Sequence, residues 1–156
     1  MKFSISLLAL CSVVYAATVP RSFPPAHVDK VIDAQAYMAG NDTIVHTDKR
    51  ALGTVFLCNA AFFSGYCVAI TGEFNGGCID LGVDLDNQVS SFGPDQGQRC
   101  QLFNAHGCAT SGAGIPAWSG PIAYPGVQDL SQGFIDANGN QNAPFNDIIS
   151  SYRCNW

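Results

Sequence analysis

Asp86-Asn87-Gln88-Val89-Ser90-Ser91 and Asn146-Asp147-Ile148-Ile149-Ser150-Ser151 are two copies of one pattern, and they decide how the chain is read. Each sets two Asp or Asn residues, two free positions and a Ser-Ser pair in the same order. Each also follows a large apolar residue, Leu85 or Phe145. Asp and Asn side chains bond to backbone two residues on, so each copy predicts a turn that opens a strand. If the serines begin that strand, Ser90 and Ser91 point to opposite faces and can do different work.

A second repeated feature lies upstream of each copy. Cys58 is followed seven residues later by Gly65 and then by Cys67, and Cys100 is followed seven residues later by Gly107 and then by Cys108. Two half-units therefore follow one another, each a cysteine hairpin and then an acidic-amide turn. The repeat predicts disulfides Cys58–Cys67 and Cys100–Cys108, each within a hairpin, which leaves Cys78 with Cys154. The second unit is longer, and the excess falls in 111–144, rich in Gly, Pro and Asn. This segment reads as an extended surface loop, or as a loop folded back on the core.

Short apolar runs such as 54–57 and 67–70 alternate with Gly, Asn, Asp and Pro clusters about every ten residues, which predicts an all-β sandwich or barrel. No window is long enough for a substantial amphipathic helix. The glycines suit tight turns. Asp136, Asn138, Asn140 and Asn142 alternate like the first half of an EF-hand loop. Gln141 occupies the place that demands glycine and Pro144 interrupts the loop, so this stretch reads as a polar turn.

The doubled pattern resembles the calcium clamp of the microbial βγ-crystallins, over residues 54–156. The aromatic-glycine stretches 62–65 and 103–107 lie where that family folds its first hairpin over. The resemblance implies two Greek-key motifs forming a disulfide-stabilised β-sandwich, and two bound calcium ions. It implies that the clamps exchange ligands: Asn87 and the Gln88 carbonyl with Ser150 around one ion, Asp147 and the Ile148 carbonyl with Ser90 around the other. Asp86 and Asn146, one place earlier, ligate or orient the turn. Ser91 and Ser151 hold the folded hairpins. Calcium suits such a set, because a hard cation accepts six to eight oxygens in irregular geometry. A neutral Asn87 against a charged Asp147 predicts unequal affinities.

The N-terminus reads as processing rather than fold. Lys2, an apolar run over 5–15 and small residues at Ala16 and Ala17 have the order of a secretory signal peptide, residues 1–16. The run is shorter than the roughly 20 residues a membrane span needs. Lys49 and Arg50 form a dibasic pair before an apolar segment, as at a processing site in a secreted precursor of fungal type. Residues 17–50 then form a pro-segment without cysteine, carrying an N-glycosylation acceptor at Asn41, and 51–156 form the mature domain.

In that domain two arginines, Arg99 and Arg153, face eight acidic side chains, a net charge of minus six. Phosphate neutralisation needs cations, so the composition argues against nucleic acid. Once Cys11 leaves with the signal peptide, six cysteines remain, Cys58, Cys67, Cys78, Cys100, Cys108 and Cys154, the even count of a secreted disulfide scaffold. Zinc is disfavoured, since no Cys-x-x-Cys occurs. His106 is the one histidine after Arg50, which excludes two-histidine catalysis, and no Gly-x-Ser-x-Gly elbow is present. The sequence therefore predicts a secreted, non-enzymatic calcium binder with no membrane span. The alternative is a secreted toxin, effector or antimicrobial protein on the same scaffold. It would meet a cell-surface or cell-wall partner through Trp118, Tyr124 and Phe134.

Overall fold

The computed structural model describes residues 27–39, 53–72, 76–110 and 117–156. The signal-peptide reading of 1–16, the acceptor Asn41 and the pair Lys49 and Arg50 lie outside those residues. Among the described residues no helix is long and apolar enough to cross a membrane.

β1 (Lys30–Asp33) runs into a short α1 (Ala34–Met38), whose first turn is capped by the Asp33 carboxylate accepting from Gln35 N and Ala36 N. β2 (Val55–Ala60) and β3 (Ser64–Thr71) form the first hairpin, followed by β4 (Cys78–Asp80) and β5 (Ser91–Pro94). The second unit has β6 (Arg99–Phe103), a 3-10 turn (His106–Cys108), β7 (Ile122–Ala123), the pair β8 (Phe134–Ile135) and β9 (Gln141–Asn142), and β10 (Ser151–Asn155).

Two four-stranded sheets result, ordered β1-β3-β2-β5 and β4-β10-β6-β7. β4 belongs to the first unit by sequence, yet it pairs antiparallel with β10, the last strand of the second. The loan is returned by Val127 of the second unit, which bridges Phe92 on β5 with N–H to carbonyl bonds of 2.8 and 3.0 Å. Each unit thus completes the other's sheet. This is the sandwich of two Greek keys that the βγ-crystallin resemblance implies.

The core lies between the sheets and is shared by both units. Phe92 and Tyr152, each directly after a Ser-Ser pair, are fully buried and meet edge to face with ring centroids 5.5 Å apart. Leu57, Val68 and Ile70 from the first sheet join Ile79, Leu102 and Ile149 in the same cluster. Stacking and burial of this kind are the main stabilising term in a small domain.

The disulfide pairing needs correction. Cys58 and Cys67 are bonded as expected, opposite each other on β2 and β3. The other two bonds are Cys78–Cys108 and Cys100–Cys154, not Cys100–Cys108 and Cys78–Cys154. The cause is register. Ser91 lies opposite Cys58, whereas Ser151 lies opposite Phe103, three residues beyond the Cys100 that the sequence repeat matches with Cys58. Cys100 instead faces Cys154 across the β6–β10 ladder, with Cα atoms 4.0 Å apart. Cys108 sits in the turn itself and reaches Cys78 on β4.

Of the two readings of 111–144, the described residues show the loop folded back on the core. It puts Ile122, Val127, Leu130 and Phe134 into the core cluster, leaving Trp118 and Tyr124 part-exposed. Gly126 makes this possible: its φ is +98°, and a Cβ there would stand 2.3 Å from the Phe92 carbonyl oxygen. The polar-turn reading of 136–142 holds, with the Asp136 carboxylate accepting from the backbone N–H of Asn138 and Asn140 at 2.8 and 2.9 Å. Residues 30–38 belong to the stretch 17–50 that the sequence reads as a pro-segment, and they pack on the domain. There β1 adds a parallel strand to β3 and buries Ile32 and Ala34 in the core.

Candidate functional site

The two acidic-amide turns meet back to back on the pseudo-twofold between the sheets. Asn87 N–H donates to the Ile149 carbonyl at 2.9 Å, and Asp147 N–H donates to the Val89 carbonyl at 3.1 Å. These bonds are mirror statements of one another, so each turn is pinned by the other copy. Asn87 and Asp147 both take left-handed backbone, with φ of 55° and 56°. Asn and Asp tolerate this conformation better than other non-glycine residues, which explains why the second place of each copy is an Asn or Asp. Leu85 and Phe145, almost fully buried, anchor the turns from beneath.

The second serine of each pair is turned inward. Ser91 and Ser151 are fully buried. Ser91 Oγ donates to the Ala60 carbonyl at 2.8 Å and accepts from Phe63 N–H at 3.2 Å. Ser151 Oγ donates to the Ala105 carbonyl and accepts from Cys108 N–H at 3.0 Å. Each hydroxyl therefore closes the folded corner of its own hairpin. Both corners need left-handed residues, Phe62 and Phe63 in one, Gly107 and Cys108 in the other. Phe63 and Cys108 are equivalent positions, not Gly65 and Gly107.

Ser90 faces the other way. Its hydroxyl is 3.2 Å from the Asn59 carbonyl oxygen and 3.4 Å from Asp147 Oδ1 of the other copy. Three oxygens from three separated segments meet at this corner, and the neighbouring Asn146 amide donates to Asp147 Oδ2. That bond gives Asn146 an orienting role. The Asn59 carbonyl is the oxygen that the sequence did not disclose, because every residue carries one and only the fold selects it.

The resemblance assigns Asp86, Asn87, Gln88 and Ser150 to the opposite corner. Ser150 N–H donates to the Phe103 carbonyl as Ser90 N–H does to the Cys58 carbonyl, which sets Ser150 beside Asn104 as Ser90 stands beside Asn59. Asp86 Oδ2 is 3.6 Å from His106 Nε2, while Asp86 Oδ1 and Asn104 Oδ1 are buried acceptors without a donor among the described residues. Buried acceptors left bare are costly, and a cation would satisfy them. His106 also lies 3.7 Å from Asp80, so it bridges two carboxylates at the edge of this corner. Gln88 and Ile148 are the free third positions of the turns, and their contribution would be the backbone carbonyl.

Among the described residues no three His, Cys, Asp or Glu side chains are placed to hold one metal ion by themselves. The corners are instead mixed sets of carboxylate, amide, hydroxyl and backbone oxygen, which suit a hard cation and not zinc or copper.

No protein-family model and no curated protein matches the chain. Among solved structures it is similar to the NMR structure of Hahellin, a beta-gamma crystallin, with 20% identity over 65% of this chain and 89% of that one and a TM-score of 0.39. So loose a superposition carries no weight by itself.

Proposed function

We propose that the protein is a secreted, non-enzymatic calcium-binding protein whose two ions stabilise the double Greek-key fold. The observation that carries the reading is the crossed corner, where Ser90 Oγ lies within 3.4 Å of Asp147 Oδ1 and within 3.2 Å of the Asn59 carbonyl oxygen. One ion would be held by Asp147, the Ile148 carbonyl, Ser90 and the Asn59 carbonyl. Its twin would be held by Asn87, the Gln88 carbonyl, Ser150 and Asp86. The bare Asp86 Oδ1 supports this second assignment. Two ions would move the net charge of 51–156 from minus six to minus two, relieving repulsion in an acidic domain.

Calcium so placed would tie the two units across their twofold, since each set draws from both copies. A ligand that binds only the folded state adds about 2.7 kcal/mol at a concentration 100 times its Kd. For a domain of this size each site then raises Tm by roughly 10 °C. The experiment is a melting series of the secreted chain with and without calcium, repeated with Ser90→Arg and Ser150→Arg. Both substitutions should diminish the rise. Absence of any heat of binding at millimolar calcium would end the proposal.

The interaction-protein reading has less support. Phe134 is buried and much of 117–144 packs on the core, so the suspected contact surface shrinks to Trp118, Tyr124 and their exposed neighbour Ile135.

A further inference from the structure

β1 comes from outside the repeated units, yet it completes the first sheet. It pairs in parallel with β3 through four residues, Lys30↔Val68 to Asp33↔Thr71. Its entry is clamped on both sides: Asp29 N–H donates to the Cys67 carbonyl at 2.8 Å, and the Asp29 carboxylate accepts from Cys67 N–H at 2.7 Å. Thr71 Oγ1 donates to the Ile32 carbonyl at 3.3 Å. Ile32 and Ala34 are 2% and 0% exposed within the core cluster. A Cβ on Gly72 would press to 3.3 Å from the Ala34 Cβ, so the absence of a side chain there lets the start of α1 approach. Tyr37 accepts from the Gly82 N–H through its hydroxyl, which ties α1 to the chain entering the first acidic-amide turn.

Residues 17–50 contain no cysteine, so no disulfide joins this segment to the domain. We propose that residues 29–38 remain on the domain after the chain is cut at Lys49 and Arg50, as a non-covalently held strand and helix. The free edge of β3 is then a strand-acceptor site with a defined ligand, this chain's own N-terminal segment. Loss of the segment would leave Val68, Ala69, Ile70 and Thr71 without their partners on β1, and an open strand edge of this kind is a template for aggregation. Edge pairing gives affinity through the backbone, and the Ile32 and Ala34 sites give selectivity.

The test uses the whole secreted chain with a protease recognition sequence inserted after Arg50, folded first and then cut. Native size exclusion at about 1 µM, with mass spectrometry of the peak, reads retention. The N-terminal fragment should co-elute one to one with 51–156 and separate only in denaturant. In the same cut chain Ile32→Ala should speed release by at least about tenfold, and Tyr37→Phe by about threefold. The proposal is overturned if the wild-type fragment is lost on the column. It is equally overturned if 51–156 then runs as a dimer, which would make a second copy the natural occupant, or if Ile32→Ala does not change release.

Discussion

Ser91→Ala and Ser151→Ala test the division of labour between adjacent serines, because the structure assigns them a purely architectural role. Each hydroxyl is fully buried and makes two bonds to backbone, one given to a carbonyl and one taken from an N–H. Alanine removes both and leaves a buried N–H and a buried C=O without partners. Each orphaned group costs about 1–3 kcal/mol, and a shared shift of the corner recovers part of it, so roughly 2–4 kcal/mol per substitution is expected. For a domain near 100 residues that is a fall in Tm of about 10–15 °C. Calorimetry in a chelator reads this cost without any metal term. Ser90→Ala and Ser150→Ala under the same conditions should cost less than about 1 kcal/mol, and should act mainly by reducing the calcium-dependent rise. The reasoning is refuted if Ser91→Ala costs under about 0.5 kcal/mol in chelator, or if Ser90→Ala proves the more damaging there.

Asn87→Asp gives the first clamp the charge of the second, so isothermal calorimetry should move from two unequal calcium sites toward two similar ones, the weaker gaining about tenfold. Non-reducing peptide mapping should recover Cys78 with Cys108 and Cys100 with Cys154; a Cys100–Cys108 peptide would contradict the register of β6 against β10. The Asn140 N–H, with that of Asn138 and the neighbouring amides, holds the Asp136 carboxyl below its ordinary value against the opposing effect of burial. Its contribution is therefore complete above the unfolded carboxylate pKa of about 3.9 and disappears as pH falls through the lower folded value. Acid unfolding of Asp136→Asn should lose less stability below about pH 4 than the parent, and parallel curves would count against the assignment. Gly126→Ala places a methyl against the backbone of Phe92 and Gly93 and should cost about 2–3 kcal/mol by denaturant titration; a neutral result would mean that the 117–130 chain sits elsewhere.

The sequence disclosed the doubled turn because its architecture needs particular side chains at fixed places: a left-handed Asn or Asp, then two hydroxyls on opposite faces. It misled over the cysteines for a physical reason. Gly65 and Gly107 look equivalent, but the fold aligns the Phe63 and Cys108 corners, and a left-handed phenylalanine pair is invisible to residue statistics. The loaned strand β4 has only three residues, too few for periodicity to distinguish from a turn. The docking of β1 is hidden in the sequence because a pro-segment is recognised by its flanking processing signals, whereas the contact depends on one buried isoleucine and a backbone ladder. The Asn59 carbonyl lay beyond reach for the same reason, being a backbone atom selected by tertiary position.

The exchange of β4 for Val127 bears on how the molecule comes apart. Cutting the polypeptide between β5 and β6 would give halves that each lack the other's contribution and the shared Phe92–Tyr152 contact, so neither is a self-sufficient miniature of the whole. Heating should accordingly produce one all-or-none transition rather than two steps. An ancestor with a single unit would have needed a twin molecule to lend it the missing strand, which makes a symmetric homodimer the natural forerunner of this duplicated chain.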